Sequence, residues 1–528
     1  MKIQKRLIAA VFVISLFSVF CIGEALAWPT VDCATLLGSQ HAGQINSADV
    51  VPSGSGLPEY CKVTGTIEPA VNYEIRLPTT GWNGKLLHVG CYVFCGFIPT
   101  SLGNDALARG YAVVGTDSGH TGSMMDCSFG YNNDQAEIDY GYRAVHIVTD
   151  AAKHLIRDFY RRPARFSYFR GCSTGGRQAL IEAQRFPNDF NGIIAGDPIM
   201  FYTGVAVVAH GWPAIVNRDE EGNPVLTVDK LPLIDAAVYE ACDGLDGLVD
   251  GIIDDPRRCD FDPTSLMCEG GGPGSDCLSA EQVEVLEKFY NGARNSADEP
   301  LFPGGFVKSS ELSWANTHIG ANSPMGIHAV AAQGNLQYLM FNVDPGPTYS
   351  LYDFNLDTDI GKLHEKAWIY NATDTDMSEF RNRGGKLILY AGTTDGTMPY
   401  SMSYYYDRVA EQMRGLSRIK KWFRFFMVPG MGHCSGGPGP STFDMLKALE
   451  DWVEHRIAPD RVIASHSTSG VVDRTRPLCP YPQVARWNGR GGLDGINHAE
   501  NFKCVEPDYV VPPNDWDHID YFSWDQFE

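Results

Sequence analysis

The sequence is short of positive charge: 42 Lys and Arg stand against 64 Asp and Glu, for a formal net charge of −22. So acidic a chain has no basic face to set against phosphates, which excludes nucleic acid as a partner and disfavours an anionic membrane surface. Beyond its first two dozen residues it lacks any apolar run near the ~20 residues that a spanning helix needs. It also lacks C-x-x-C pairs, so its 14 cysteines do not offer the close ligand pairs of a structural zinc site. No internal repeat and no low-complexity tract is present. What remains is an ordinary globular composition, 44% hydrophobic and 20% charged, over 528 residues, enough for one large domain or two. Neutral substrates suit such a surface best.

The first residues read as an address. Lys2, Lys5 and Arg6 precede the apolar run Leu7 to Cys21, and Ala25, Leu26, Ala27 form a small-x-small cleavage site, the pattern of a signal peptide over residues 1–27. Ser18, Val19 and Phe20 do not suit lipidation at Cys21. A secreted or periplasmic protein is expected. In that oxidising setting most of the thirteen remaining cysteines should pair, with one left over.

Short apolar strands alternate with helical stretches, which predicts a mostly parallel sheet with helices on both faces. Candidate strands are Lys85 to Val89, Tyr111 to Gly115, Arg165 to Phe169, Gly192 to Ala195, Lys386 to Tyr390 and Phe423 to Val428. Apolar residues recur at helical spacing from Asp139 to Phe159 and again from Gln178 to Phe186, where Pro187 stops the helix. Residues 201–355 break this rhythm with Gly, Pro, acidic residues and four cysteines, and read as an inserted lid. The expected organisation is a hydrolase domain over 28–200 and 356–528, interrupted by that lid. Cys268 and Cys277 flank a Gly/Pro-rich turn and are expected to staple it, and Cys479 with Cys504 to hold the C-terminal stretch. Cys33 and Cys61 are expected to be disulfide-bonded as well.

Gly171, Cys172, Ser173, Thr174, Gly175 match G-x-S-x-G between a strand and a helix. That setting turns a common pattern into a nucleophile elbow, with Ser173 presented at a helix N-terminus where amides stabilise an oxyanion. A serine hydroxyl needs a base held in one tautomer by an acid. In α/β-hydrolases these follow in the order acid, then histidine, each on a loop after a strand. Asp395 follows the strand Lys386 to Tyr390, and His433 follows Phe423 to Val428 on a Gly-rich loop. The rivals are Asp197, after the strand ending at Ala195, and His120, which precedes the serine.

At Gly171 to Gly176 and Met431 to Cys434 the chain resembles the tannase and feruloyl esterase family, which includes a bacterial terephthalate-monoester hydrolase. The likeness extends to Trp82 to Lys85, Arg383 to Lys386, and Arg476 to Pro482. It implies the α/β-hydrolase fold with a large lid, and a disulfide between the cysteines beside the catalytic serine and histidine, here Cys172 and Cys434. It also implies a calcium ion in the lid. The matching segment, Cys242 to Ile252, interleaves three carboxylates with glycines, which alone is either a tight cation loop or a solvated acidic turn. The resemblance supplies Asp243, Asp246 and Asp250 as side-chain ligands and Leu248 and Ile252 as backbone donors, with Cys242 and Cys259 closing the loop. Where the family has a run of glycines after its early strand, this chain has Gly90, Cys91, Tyr92, Val93, Phe94, Cys95, Gly96. Thr174 is expected as one oxyanion donor, with Gly90 or Cys91 as the second. Cys91, Cys95 and Cys127 compete for one pairing.

The expected function is a secreted serine esterase acting on esters of aromatic acids, gallates or hydroxycinnamates, free or attached to a polysaccharide or polyphenol. The alternatives are a general carboxylesterase or lipase, a terephthalate-monoester hydrolase, and a binding module that has lost activity.

Overall fold

The computed structural model describes residues 30–320, 325–396 and 398–509. The expected signal peptide lies outside them. The centre is a nine-stranded sheet in the order β1-β2-β3-β5-β4-β6-β7-β8-β9. β4 (Lys85–Val89), β5 (Ala112–Thr116), β6 (Phe166–Cys172), β7 (Gly192–Gly196), β8 (Lys386–Gly392) and β9 (Phe423–Val428) run parallel. These strands are nearly continuous apolar runs because both of their faces are covered. The α/β-hydrolase architecture expected from the sequence is present.

Three further strands, β1 (Gln44–Val51), β2 (Tyr60–Ile67) and β3 (Val71–Pro78), extend the sheet antiparallel, with β3 joining β5. They were not among the expected strands. In β3 the buried residues Val71, Tyr73, Ile75 and Leu77 alternate with partly exposed ones, so an expectation built on unbroken apolar runs passes over it. The helix Ala144–Tyr160 continues a π-helical turn, Asp139–Arg143, and buries Val148, Ala152, Leu155 and Phe159 against one face of the sheet. The helix Met445–His455 covers the other with Met445, Leu446, Leu449 and Trp452.

Among the described residues between β7 and β8 no strand joins the main sheet. Leu231, Ile234, Leu286, Phe289 and Trp314 build a core of their own there. Beyond residue 356 the chain returns to the hydrolase core: Arg177 Nη1 donates to the Tyr370 carbonyl at 3.2 Å, and Gln184 Nε2 to that of Ala372 at 2.9 Å. After β9 two hairpins close the chain, β10 (Val462–Thr468) with β11 (Val471–Leu478) and β12 (Val484–Trp487) with β13 (Phe502–Val505). Cys479–Cys504 and Cys33–Cys61 are bonded. Among the described residues no helix is long and apolar enough to cross a membrane.

Candidate active site

β6 runs to Cys172 and the helix Thr174–Arg185 begins two residues later, so Ser173 alone turns the chain. Its φ of 63° and ψ of −123° lie where a non-glycine residue is strained, by roughly 1–3 kcal/mol. Tight packing maintains the turn. A Cβ at Gly171 would stand 2.3 Å from the Gly175 carbonyl oxygen, and one at Gly176 would stand 2.3 Å from that of Gly196. Ser173 N–H donates to that same Gly196 oxygen at 2.9 Å.

Asp395 and His433 stand on the loops after β8 and β9, at the same end of the sheet as the elbow. The loops are laced together: Thr394 N–H donates to the Met431 carbonyl at 2.9 Å, and Gly430 N–H to Thr393 Oγ1 at 2.9 Å. His433 Nδ1 lies 2.7 Å from Asp395 Oδ2, leaving Nε2 for other work. Burial works against a charge on this imidazole, but the carboxylate of Asp395 and then that of Asp197 outweigh it and raise His433 to about 9.

The two rivals have other surroundings. Asp197 is fully buried and accepts from Gly392 N–H through Oδ1 and from Cys434 N–H through Oδ2, both at 2.9 Å. Desolvation, followed by the neighbouring Asp395, raises its carboxyl well above the ordinary range. His120 stacks on Phe129 with ring centroids 3.6 Å apart, does not line the cavity at Ser173, and is lowered to about 4 by burial.

Cys172 and Cys434 are disulfide-bonded across 262 residues of sequence, joining the elbow to the histidine loop. Cys91 pairs with Cys95, leaving Cys127 as a buried free thiol. The expected second oxyanion donors are corrected here. Gly90 N–H donates to the Arg170 carbonyl at 2.9 Å, and Cys91 N–H to Gln178 Oε1 at 3.2 Å, so neither amide is free. The next amide, Tyr92, has no acceptor among the described residues, and Tyr92 lines the cavity with Ser173 and Thr174. Thr174 Oγ1 donates to the Val93 carbonyl at 2.6 Å, which ties this loop to the start of the elbow helix. Thr174 N–H, at the first helical position, has no intrahelical partner.

Ser173 and His433 open on a cavity of about 490 Å³ beneath the lid, with Tyr92, Phe94, Met124 and Tyr202 on its wall. Three lid histidines, His210, His318 and His328, line it too. They were not among the expected site residues; nothing in their spacing marks them before the lid folds.

In the acidic lid loop, bracketed by the disulfide Cys242–Cys259, Asp243 accepts from the N–H groups of Asp250, Gly251 and Ile252 at 3.0–3.3 Å. Asp246 Oδ1 accepts from Leu248 N–H at 2.8 Å, and Asp250 pairs with Arg476. A fourth carboxyl, Asp254, absent from the expected set, is raised well above its ordinary range by burial and then by Asp246 and Asp250. Buried carboxylates in excess of one arginine are the donor chemistry that a hard divalent cation suits.

A sequence profile described as tannase and feruloyl esterase matches residues 55–505. An esterase of Xanthomonas campestris pv. campestris is 37% identical, over 90% of this chain and 91% of its own length. The mono(2-hydroxyethyl) terephthalate hydrolase of Piscinibacter sakaiensis is 34% identical, over 91% and 90%. The crystal structure of feruloyl esterase B from Aspergillus oryzae superposes with a TM-score of 0.79 at 26% identity, covering 88% of this chain and 97% of that one. The chain therefore belongs to the tannase and feruloyl esterase family of esterases.

Proposed function

We propose that the protein is an exported serine esterase that hydrolyses esters of aromatic carboxylic acids through an acyl-enzyme. The observation that carries this is the elbow serine fastened by Cys172–Cys434 to the loop whose His433 is paired with Asp395. Ser173 Oγ attacks the ester carbonyl while His433 Nε2 takes its proton. The Nδ1–H held by Asp395 keeps Nε2 free as the base and steadies the imidazolium that forms. The amides of Thr174 and Tyr92 receive the oxyanion. His433 returns the proton to the departing alkoxide, and water repeats the cycle on the acyl group. Aromatic and thioether side chains on the cavity wall suit a flat acyl ring.

Export is supported by the leader pattern and by six disulfides among the described residues. Asp243, Asp246, Asp250 and the carbonyls of Leu248 and Ile252 would hold a calcium ion, which when bound neutralises the carboxylates of the loop. The test is a hydrolysis profile over methyl gallate, methyl ferulate, a terephthalate monoester and aliphatic esters, with Ser173→Ala alongside. Aromatic turnover that disappears in a folded Ser173→Ala variant is expected. Exclusive turnover of aliphatic esters would overturn the substrate class, and retained turnover in the variant would overturn the nucleophile.

A further inference from the structure

The three cavity histidines form one stack. His210 lies over His328 with centroids 4.1 Å apart at 23°, and His318 meets His328 edge-on at 4.7 Å and 90°. Three imidazolium ions cannot share such a space. Burial holds His328 down at about 4 and the other two well below their ordinary value, so all three are neutral at neutral pH. Each then carries one N–H and one bare lone pair.

Which nitrogen is bare is set by a chain of contacts that starts at a backbone carbonyl. Thr317 Oγ1 lies 2.8 Å from the Ser313 carbonyl oxygen, which can only accept. The hydroxyl proton belongs on that contact, since any other placement sets two oxygen lone pairs face to face. Thr317 Oγ1 therefore accepts from His318 Nδ1–H at 2.6 Å. His318 Nε2 is then bare and accepts from His328 Nδ1–H at 3.2 Å. The relay ends at His328 Nε2, a bare acceptor that no group among the described residues satisfies.

We propose that His328 Nε2 accepts a hydrogen bond from a ring hydroxyl of the substrate, so that this cavity selects hydroxylated aryl esters over carboxylated or unsubstituted ones. The inference rests on the aromatic-ester reading above. The cavity wall points the same way: among the described residues lining it there is no Lys or Arg, and His433 is already paired with Asp395. A ring carboxylate at His328 Nε2 would meet a lone pair, with no Lys or Arg on the cavity wall to compensate for its lost hydration. A phenolic hydroxyl brings the donor that the relay lacks.

The test compares kcat/KM for methyl 4-hydroxybenzoate, methyl benzoate and monomethyl terephthalate, each scaled to its rate of alkaline hydrolysis. The wild-type protein should favour the hydroxylated ester by about tenfold over the unsubstituted one, the worth of one hydrogen bond, and by more over the carboxylate. His328→Phe keeps a ring against His210 but removes the acceptor and should collapse that ratio. His328→Gln, which still offers an acceptor, should restore part of it. Thr317→Val releases the relay and should shrink the ratio without altering His328. Equal turnover of all three esters, or a loss in His328→Phe that falls on all three alike, overturns the inference and leaves the aromatic-ester reading standing. Turnover of none of them overturns that reading as well.

Discussion

Asp197 Oδ2 accepts the backbone N–H of Cys434 at 2.9 Å, while Oδ1 accepts that of Gly392 at 2.9 Å, so one buried carboxyl spans the ends of the acid and histidine loops. An asparagine there can accept with one oxygen only and turns an amide N–H towards the other backbone donor. Asp197→Asn should lower kcat by about tenfold to a hundredfold with little change in KM, because a small misplacement of a catalytic group is costly. It should also reduce stability by about 1–3 kcal/mol through the orphaned amide. Steady-state kinetics and a denaturation curve measure both, and wild-type values in each would remove Asp197 from a positioning role.

The basicity of His433 gives the pH dependence its sign. The base must be unprotonated to receive the serine proton, and the carboxylates facing it hold its pKa at about 9. Activity should climb about tenfold per pH unit on the acid side and level off near pH 9. Asp395→Asn removes the principal opposing charge, so its residual activity should level off at lower pH. A wild-type profile already flat above the ordinary histidine range of about 6.5 would contradict this.

Replacing Cys172 and Cys434 together by alanine should reduce kcat far more than it raises KM, by about a hundredfold. The chain-entropy treatment assigns a loop of this length roughly 5 kcal/mol, so the melting temperature should fall too. A disulfide-linked peptide containing both residues should appear on mapping of the unreduced protein. Its absence would remove the clamp.

Chelation should lower the melting temperature and loosen the lid ahead of the sheet, because Asp246, Asp250 and Asp254 are then left to repel one another. Hydrogen exchange localises the effect, and metal analysis of dialysed protein counts the ion. No bound calcium together with an unchanged melting temperature would dismiss the site.

The parallel core was legible in the sequence because β4 and β9 are mostly apolar short runs, and the elbow because Gly171 and Gly176 are required by close backbone contacts. The alternating pattern of β3 was equally available but follows a different period. The occupation of the Gly90 and Cys91 amides was not legible, since it depends on Arg170 and on Gln178, far away in sequence. The stack of His210, His318 and His328 brings together residues from three separate lid segments, and only tertiary packing makes them neighbours.

The bond between Cys172 and Cys434 also dictates when the enzyme comes of age. Four cysteines lie between them, and these join locally as Cys242–Cys259 and Cys268–Cys277, across 17 and 9 residues. Short closures cost less chain entropy than one across 262 residues, so the local pairs form early while the elbow thiol waits. Its partner leaves the ribosome only after the whole lid. On the serine-esterase reading, full catalytic rate therefore waits until Cys434 has followed the whole lid out and an oxidant has joined it to Cys172.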